Sequence, residues 1–449
     1  MAVHGVGPGG QLVRDAARRR RARRPRPRRR RHRQPRQGNR RRSRAIGEHR
    51  PRTAGGHRAD RRGGRPVSVT AAAGFRAAGT TAGLKASGRP DLALVVNDGP
   101  LDAAAAVYTS NRCKAHPVLW SERASADGHV RAVVLNSGGA NCFTGPEGFQ
   151  TTHATAELVG ELIGSGAGDV VVCSTGLIGV ELPRQKVLDG VRAAFGALSP
   201  EGGTAAATAI MTTDTVSKQA IASGEGFVVG GMAKGAGMLA PGLATMLVVL
   251  TTDAVVEAAD LDRALRAATR TTFDRVDSDG CTSTNDTVVL LASGAGGTTP
   301  QPAAFDEVVR RVCADLARML VGDAEGADHD IAIEVVGAAT EDEAVEVARS
   351  VARNNLFKAA VFGRDPNWGR VMAAVGTTSA RFDPQALDVS LNGVAVCVAG
   401  TPHADPAQVD LGPREVRVRI DLHAGPETAT VWTNDLTHAY VHENSAYSS

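Results

Sequence analysis

From Val67 to the C-terminus, short aliphatic runs alternate with amphipathic stretches, and that alternation restricts the fold more than any other feature of the chain. The runs "DLALVV", "VRAVVLNS", "DVVVCSTG", "GFVVGG", "TMLVVLTT", "TVVLLAS", "IAIEVVG" and "VAVCVAG" have the length and β-branched content of buried strands. Between them, Phe305, Val308, Val309, Val312, Leu316 and Leu320 recur at i, i+3, i+4, i+7 spacing and lay an apolar stripe along one helix face. Thr340 followed by Glu343 is a capping box that opens another helix, with Ala344, Val345, Ala348 and Val351 on its inner side. Strands and helices in alternation predict an α/β fold built in layers. No internal repeat is evident.

Charge divides the chain into two unlike parts. Residues 1–65 carry 24 arginines, no lysine and three acids, a net of +21, so the formal +5 of all 449 residues leaves −16 for residues 66–449. The body therefore reads as an ordinary acidic protein, and the basic character belongs to the arm. That arm has no apolar periodicity and too little apolar surface to offset its ordering entropy. Arginine blocks could bind nucleic acid through phosphates or serve as a targeting arm, but no apolar core follows them as in a secretory signal. Translated GC-rich upstream sequence gives the same composition, and residues 1–66 are read as such a disordered arm ahead of the true start.

The six cysteines, at 113, 142, 173, 281, 313 and 397, form no Cys-x-x-Cys pair and have no histidine at finger spacing. Neither a zinc site nor a disulfide framework is expected, and reduced cytoplasmic thiols are the default. No run reaches the roughly 18 apolar residues of a membrane span. Asn285-Asp286-Thr287 is a formal glycosylation sequon, without consequence in a cytoplasmic protein.

The chemistry concentrates on Ala244-Thr245. Gly235, Gly237, Pro241 and Gly242 forbid a regular helix ahead of the step and permit strained backbone, while "TMLVVLTT" would place Thr245 first in a strand. A strained peptide bond before a hydroxyl residue is where an N-to-O acyl shift can cut a chain. Thr245 would then bear a free α-amine, with a pKa near about 7.7–8.0, able to act as base to its own hydroxyl. Most such steps are plain loop-to-strand junctions, so the step alone does not decide. In "VVCSTGLIG" a strand runs into Thr175-Gly176, whose hydroxyl and amide could converge as an oxyanion hole. Lys234 in "AKGAGM" does not complete a phosphate loop. It reads as a turn lysine or as a partner for a ligand carboxylate.

Eight segments in order, among them "VVLNSGGANCFTG", "VCSTGLIGVELP", "AIMTTDT", "GGMAKGAGMLAPGLATMLVVLTTDA", "DGCTSTNDT" and "WTNDLTHAYVHENSAYSS", resemble the glutamate N-acetyltransferase family. These are the bifunctional ornithine acetyltransferases and N-acetylglutamate synthases of arginine biosynthesis. The resemblance runs from about Val69 to the C-terminus. It implies a layered sandwich with an N-terminal-nucleophile-like site, cut between Ala244 and Thr245 into an α chain (67–244) and a β chain (245–449) that associate as α2β2. By position it implies Thr245 as nucleophile and acetyl carrier, and Thr175 and Gly176 as oxyanion stabilisers. Thr212, Lys234, Thr245, Glu325, Asn444 and Ser449 match substrate-binding positions.

The implied reaction is ping-pong transfer of acetyl from N-acetylornithine to glutamate, with acetyl-CoA as a second donor and no metal or organic cofactor. Lys234 would anchor the α-carboxylate common to both amino acids, Glu325 a side-chain amino group, and Asn444 would offer donor and acceptor together. Two segments depart from the family pattern: Ala240-Pro241-Gly242-Leu243 before the cut, and "NSGGANCFTG". Cys142 is read as a small buried residue, and Arg364, Asp365 and Arg370 as braces around Trp368. The rival readings are a self-processing aminopeptidase or amidase with water as acceptor, and a nucleic-acid binder acting through the arm.

Overall fold

The structure is a computed structural model that describes residues 68–240 and 246–446. The arm (1–66), Ala244, Thr245 and Ser449 lie outside the described residues. Two sheets stack face to face. One has four strands in the order Phe75–Thr80, Leu92–Asn97, Ala132–Asn136, Val170–Ser174, antiparallel except for the last, parallel pair. The other has five, in the order Ala103–Tyr108, Thr287–Ala292, Leu247–Thr252, Phe227–Lys234, Lys218–Gly224.

The continuous apolar runs follow from burial on both sides. In Leu247–Thr252, Leu247 and Val249 face the inter-sheet core with Val133, Leu135, Val171 and Met232. The alternate residues Val248 and Leu250 face outward, onto helices Ala258–Thr271 and Pro302–Gly322. The four-stranded sheet repeats the arrangement, with Val134 and Val172 packed on helices Gly145–Ile163 and Arg184–Gly196. The order is thus helix, sheet, sheet, helix, the α/β layering expected from the alternation.

The stripe from Phe305 to Leu320 is buried along Pro302–Gly322. Thr340 caps Glu341–Ala352, its hydroxyl accepting from the Glu343 amide. A third sheet of six strands, with Asp330–Ala338 between Glu415–Asp421 and Glu427–Asn434, packs against that helix and against Asn355–Phe362 and Trp368–Val375. In one respect the expectation needs correction: the strand over "TMLVVLTT" begins at Leu247, two residues after Thr245. Arg370 donates to the Leu356 carbonyl and Asp365 accepts from Asn367, so both brace the turn before Trp368 as expected.

Candidate active site

Four strand ends meet at one edge of the sheet pair. Val170–Ser174 delivers Thr175 and Gly176 at its C-terminal end, and Phe227–Lys234 delivers Lys234. Leu247–Thr252 and Thr287–Ala292 begin there, and the register sets Lys234 opposite Leu247 and Leu247 opposite Thr287. A cavity of about 340 Å³ opens at this edge, lined by Thr175, Gly176, Thr212, Lys234, Glu325 and Asn444, with Thr213, Ser283, Thr284 and Asn285 between them. Every described residue expected at the site therefore borders one space, of a size that suits a small ligand.

Gly176 has φ +129°, and a Cβ there would stand 2.7 Å from the Gly139 nitrogen, so only glycine fits. The turn is held from behind. Thr175 N–H donates to the Asn136 carbonyl at 2.9 Å, and Gly139 N–H to the Thr175 carbonyl at 3.0 Å. The Gly176 N–H donates to nothing among the described residues. Thr175 Oγ1 accepts from Lys234 Nζ at 3.3 Å, which leaves the hydroxyl proton free to point elsewhere. Two donors are thus available at the cavity wall, the arrangement an oxyanion needs.

Lys234 is 1% exposed and forms no ion pair among the described residues. Burial pulls its pKa down, opposed by the charges of Asp214, Asp286 and Glu325. A buried ammonium with a single weak hydrogen bond has unused capacity for an anion. Behind it lies Asp214, which sequence reasoning missed. Its Oδ1 accepts from Lys218 Nζ at 2.6 Å and Gly235 N–H at 2.7 Å, and its Oδ2 from Thr212 N–H at 2.9 Å. Burial works against this carboxyl's charge, but Lys234 and Lys218 outweigh it and hold its pKa below the ordinary range. One carboxylate thereby fixes both Thr212 and the end of the Lys234 strand.

Glu325 follows helix Pro302–Gly322, its N–H donating to the Ala236 carbonyl at 2.8 Å. Its carboxylate lies over Gly237, where a Cβ would come within 2.6 Å of Oε2. That glycine leaves room for the acid, a use beyond slack. Asn444 is on the C-terminal helix His438–Ala446, with Nδ2 donating to the Tyr440 carbonyl at 3.0 Å. Asn285 was also missed; its amide donates to the Ala140 and Ser174 carbonyls at 2.7 and 2.8 Å, tying the two sheets at the cavity floor. Asp214 and Asn285 stand inside "MTTDT" and "TSTNDT", polar clusters beside strand ends, which is the signal that could have found them. Cys142 is 1% exposed with its thiol pKa raised by burial, as suits a packing residue.

A family model described as the ArgJ family matches residues 76–449. The arginine biosynthesis bifunctional protein ArgJ of Streptomyces coelicolor is 66% identical over 383 residues, covering 85% of this chain and 100% of that protein. The protein of the same name from Mycobacterium leprae is 57% identical over 393 residues, covering 86% and 97%. Among solved structures, the ornithine acetyltransferase of Mycobacterium tuberculosis complexed with ornithine is 53% identical. It covers 40% of this chain and 96% of that one, with a TM-score of 0.39. The chain belongs to the ArgJ family and is an acyltransferase of arginine biosynthesis.

Proposed function

We propose that the enzyme moves the acetyl group of N-acetyl-L-ornithine to L-glutamate through an ester on Thr245, after the chain cuts itself between Ala244 and Thr245. The freed α-amine of Thr245 takes the proton as the hydroxyl attacks the acetyl carbonyl. The Thr175 hydroxyl and Gly176 N–H bind the oxyanion. Ornithine leaves, glutamate enters the same cavity, and its amine collects the acetyl group. Lys234 holds the α-carboxylate of either amino acid, Glu325 the side-chain ammonium of ornithine, and Thr212, Asn444 and Ser449 complete the pocket. Acetyl-CoA serves as a second donor, no metal or organic cofactor takes part, and the α (67–244) and β (245–449) chains work in the cytoplasm as α2β2.

One observation carries this reading. The buried ammonium of Lys234, without an ion pair among the described residues, lines one cavity together with two free donors at Thr175 and Gly176 and the Glu325 carboxylate. An α-amino acid with a second, cationic end matches that distribution of charge. Incubation with N-acetylornithine and glutamate should yield N-acetylglutamate and ornithine in equal amounts with little free acetate. Acetate in stoichiometric yield would make the enzyme an amidase instead.

Thr175→Ala should lower kcat by roughly 10²-fold, the cost of one oxyanion donor, with a small change in KM. The Gly176 N–H remains in that variant. A rate within about twofold of the parent would reduce Thr175 to a turn residue.

A further inference from the structure

The mature enzyme has the Thr245 amine as its base, but the uncut chain does not: there the same nitrogen is a peptide nitrogen and cannot take a proton from the hydroxyl. Self-cleavage therefore calls for another proton acceptor close to the Thr245 hydroxyl. Met246, peptide-bonded to Thr245, donates its N–H to Asp286 Oδ1 at 3.0 Å. The strands fix that contact, because Leu247 pairs with Thr287 and the Thr287 N–H returns to the Met246 carbonyl at 3.2 Å. Asp286 is 0% exposed, and its second oxygen, Oδ2, makes no hydrogen bond of good geometry among the described residues, although the hydroxyl and amide of Ser283 stand close to the carboxylate. A fully buried carboxylate oxygen without a well-made hydrogen bond is costly and calls for a reason. The Met246 nitrogen is bonded directly to the Thr245 carbonyl carbon, so the Asp286 carboxylate is seated on the peptide group that Thr245 shares with Met246.

We propose that Asp286 Oδ2 is the proton acceptor for self-cleavage, a role that ends once the chain is cut and the Thr245 amine takes over. This rests on the reading of Thr245 as the cleavage nucleophile. The Thr245 hydroxyl passes its proton to Oδ2 while Oγ bonds to the Ala244 carbonyl carbon. The Ala244–Thr245 C–N bond then breaks, and the proton moves from Oδ2 to the departing nitrogen. The ester that results is hydrolysed by water to the Ala244 carboxylate and a Thr245 with free amine and hydroxyl, and Asp286 ends as it began.

The surroundings suit the task. Burial raises the affinity of Asp286 for a proton, while the Met246 amide, the Lys234 ammonium and Ser283 favour its ionised form. A carboxylate so placed holds a proton more tightly than one in water, as a proton acceptor should.

The test follows newly synthesised full-length chain by mass spectrometry of the 1–244 and 245–449 fragments. Asp286→Ala should cut at least about 10²-fold more slowly than the parent, the typical contribution of a general base. Added formate, which can occupy the vacated space, should restore cutting at a rate that rises with its concentration. Asp286→Asn, which keeps an acceptor for the Met246 amide but not the base, should be equally slow and insensitive to formate. Circular dichroism and urea unfolding alongside Thr245→Ala separate slow chemistry from misfolding. A merely structural role would not be rescued by a small carboxylate. Cutting of Asp286→Asn at the parental rate, or a folded, slow Asp286→Ala on which formate has no effect, would overturn the proposal. If Thr245→Ala itself is cut, it is the parent reading that fails.

Discussion

Thr245→Ala is expected to remain one uncut polypeptide and to lose acetyl transfer by at least about 10⁴-fold, a loss typical of removing a nucleophile. Alanine lacks the oxygen that attacks the Ala244 carbonyl and the oxygen that carries the acetyl group, so one substitution removes both reactions. The variant should nonetheless fold, because the segments on either side are anchored independently. Upstream, the Leu239 N–H donates to Asp279 at 2.8 Å and the Leu239 carbonyl accepts from the Ser278 N–H at 2.6 Å. Downstream, the Met246 N–H is held by Asp286 and Leu247 pairs with Lys234 and Thr287. The residues between these anchors can change without releasing either end. Mass spectrometry with an acetyl-transfer assay decides the matter. A variant that still splits between 244 and 245 would remove the assigned cleavage chemistry, and one that is uncut yet active would remove the free amine from the mechanism.

The sequence showed the layers better than it showed the site. Runs such as "TMLVVLTT" and "DVVVCSTG" are apolar on consecutive residues because both faces are covered, and the stripe from Phe305 to Leu320 records one helix face. Strand Phe75–Thr80, "FRAAGT", has little β-branched content and is a strand because it pairs with Leu92–Asn97. Glu415–Asp421 alternates exposed and buried residues. Its period of two was legible, but its arginines and acids disguise a central strand of the third sheet. At the site, Thr175 and Gly176 follow, and Lys234 ends, strands that can be seen in the sequence. Asp214, Asn285 and Asp286 come to the site only because separate strands end at the same edge, a fact of sheet order that no local pattern encodes. An isolated aspartate in "MTTDT" looks like a turn residue until Lys218, Gly235 and Thr212 are brought around it.

That network makes the second large prediction. Asp214→Asn should cost about 3–5 kcal/mol of stability, the usual penalty for removing one partner of a buried ion pair. Lys218 has no exposed side-chain surface, and its charge is shared between Asp214 and Asp323 at 2.6 Å each. Asparagine keeps the shape but brings no charge, and it presents an amide donor toward either Lys218 and Gly235 or Thr212, all of which donate. The buried ammonium groups of Lys218 and Lys234 would then share less negative charge, and kcat/KM should fall as well because Thr212 and the end of the Lys234 strand lose their common anchor. The pH dependence gives a further check. The Asp214 pKa is lower folded than unfolded, so its contribution is full above the unfolded value of about 3.9 and is lost as pH falls toward the folded one. Urea unfolding should therefore show the widest gap between parent and variant near neutral pH, and a narrowing gap below about pH 4. A loss under about 1 kcal/mol would mean that Asp323 alone can hold Lys218. In that case the order at the cavity wall comes from the strand register and not from this carboxylate.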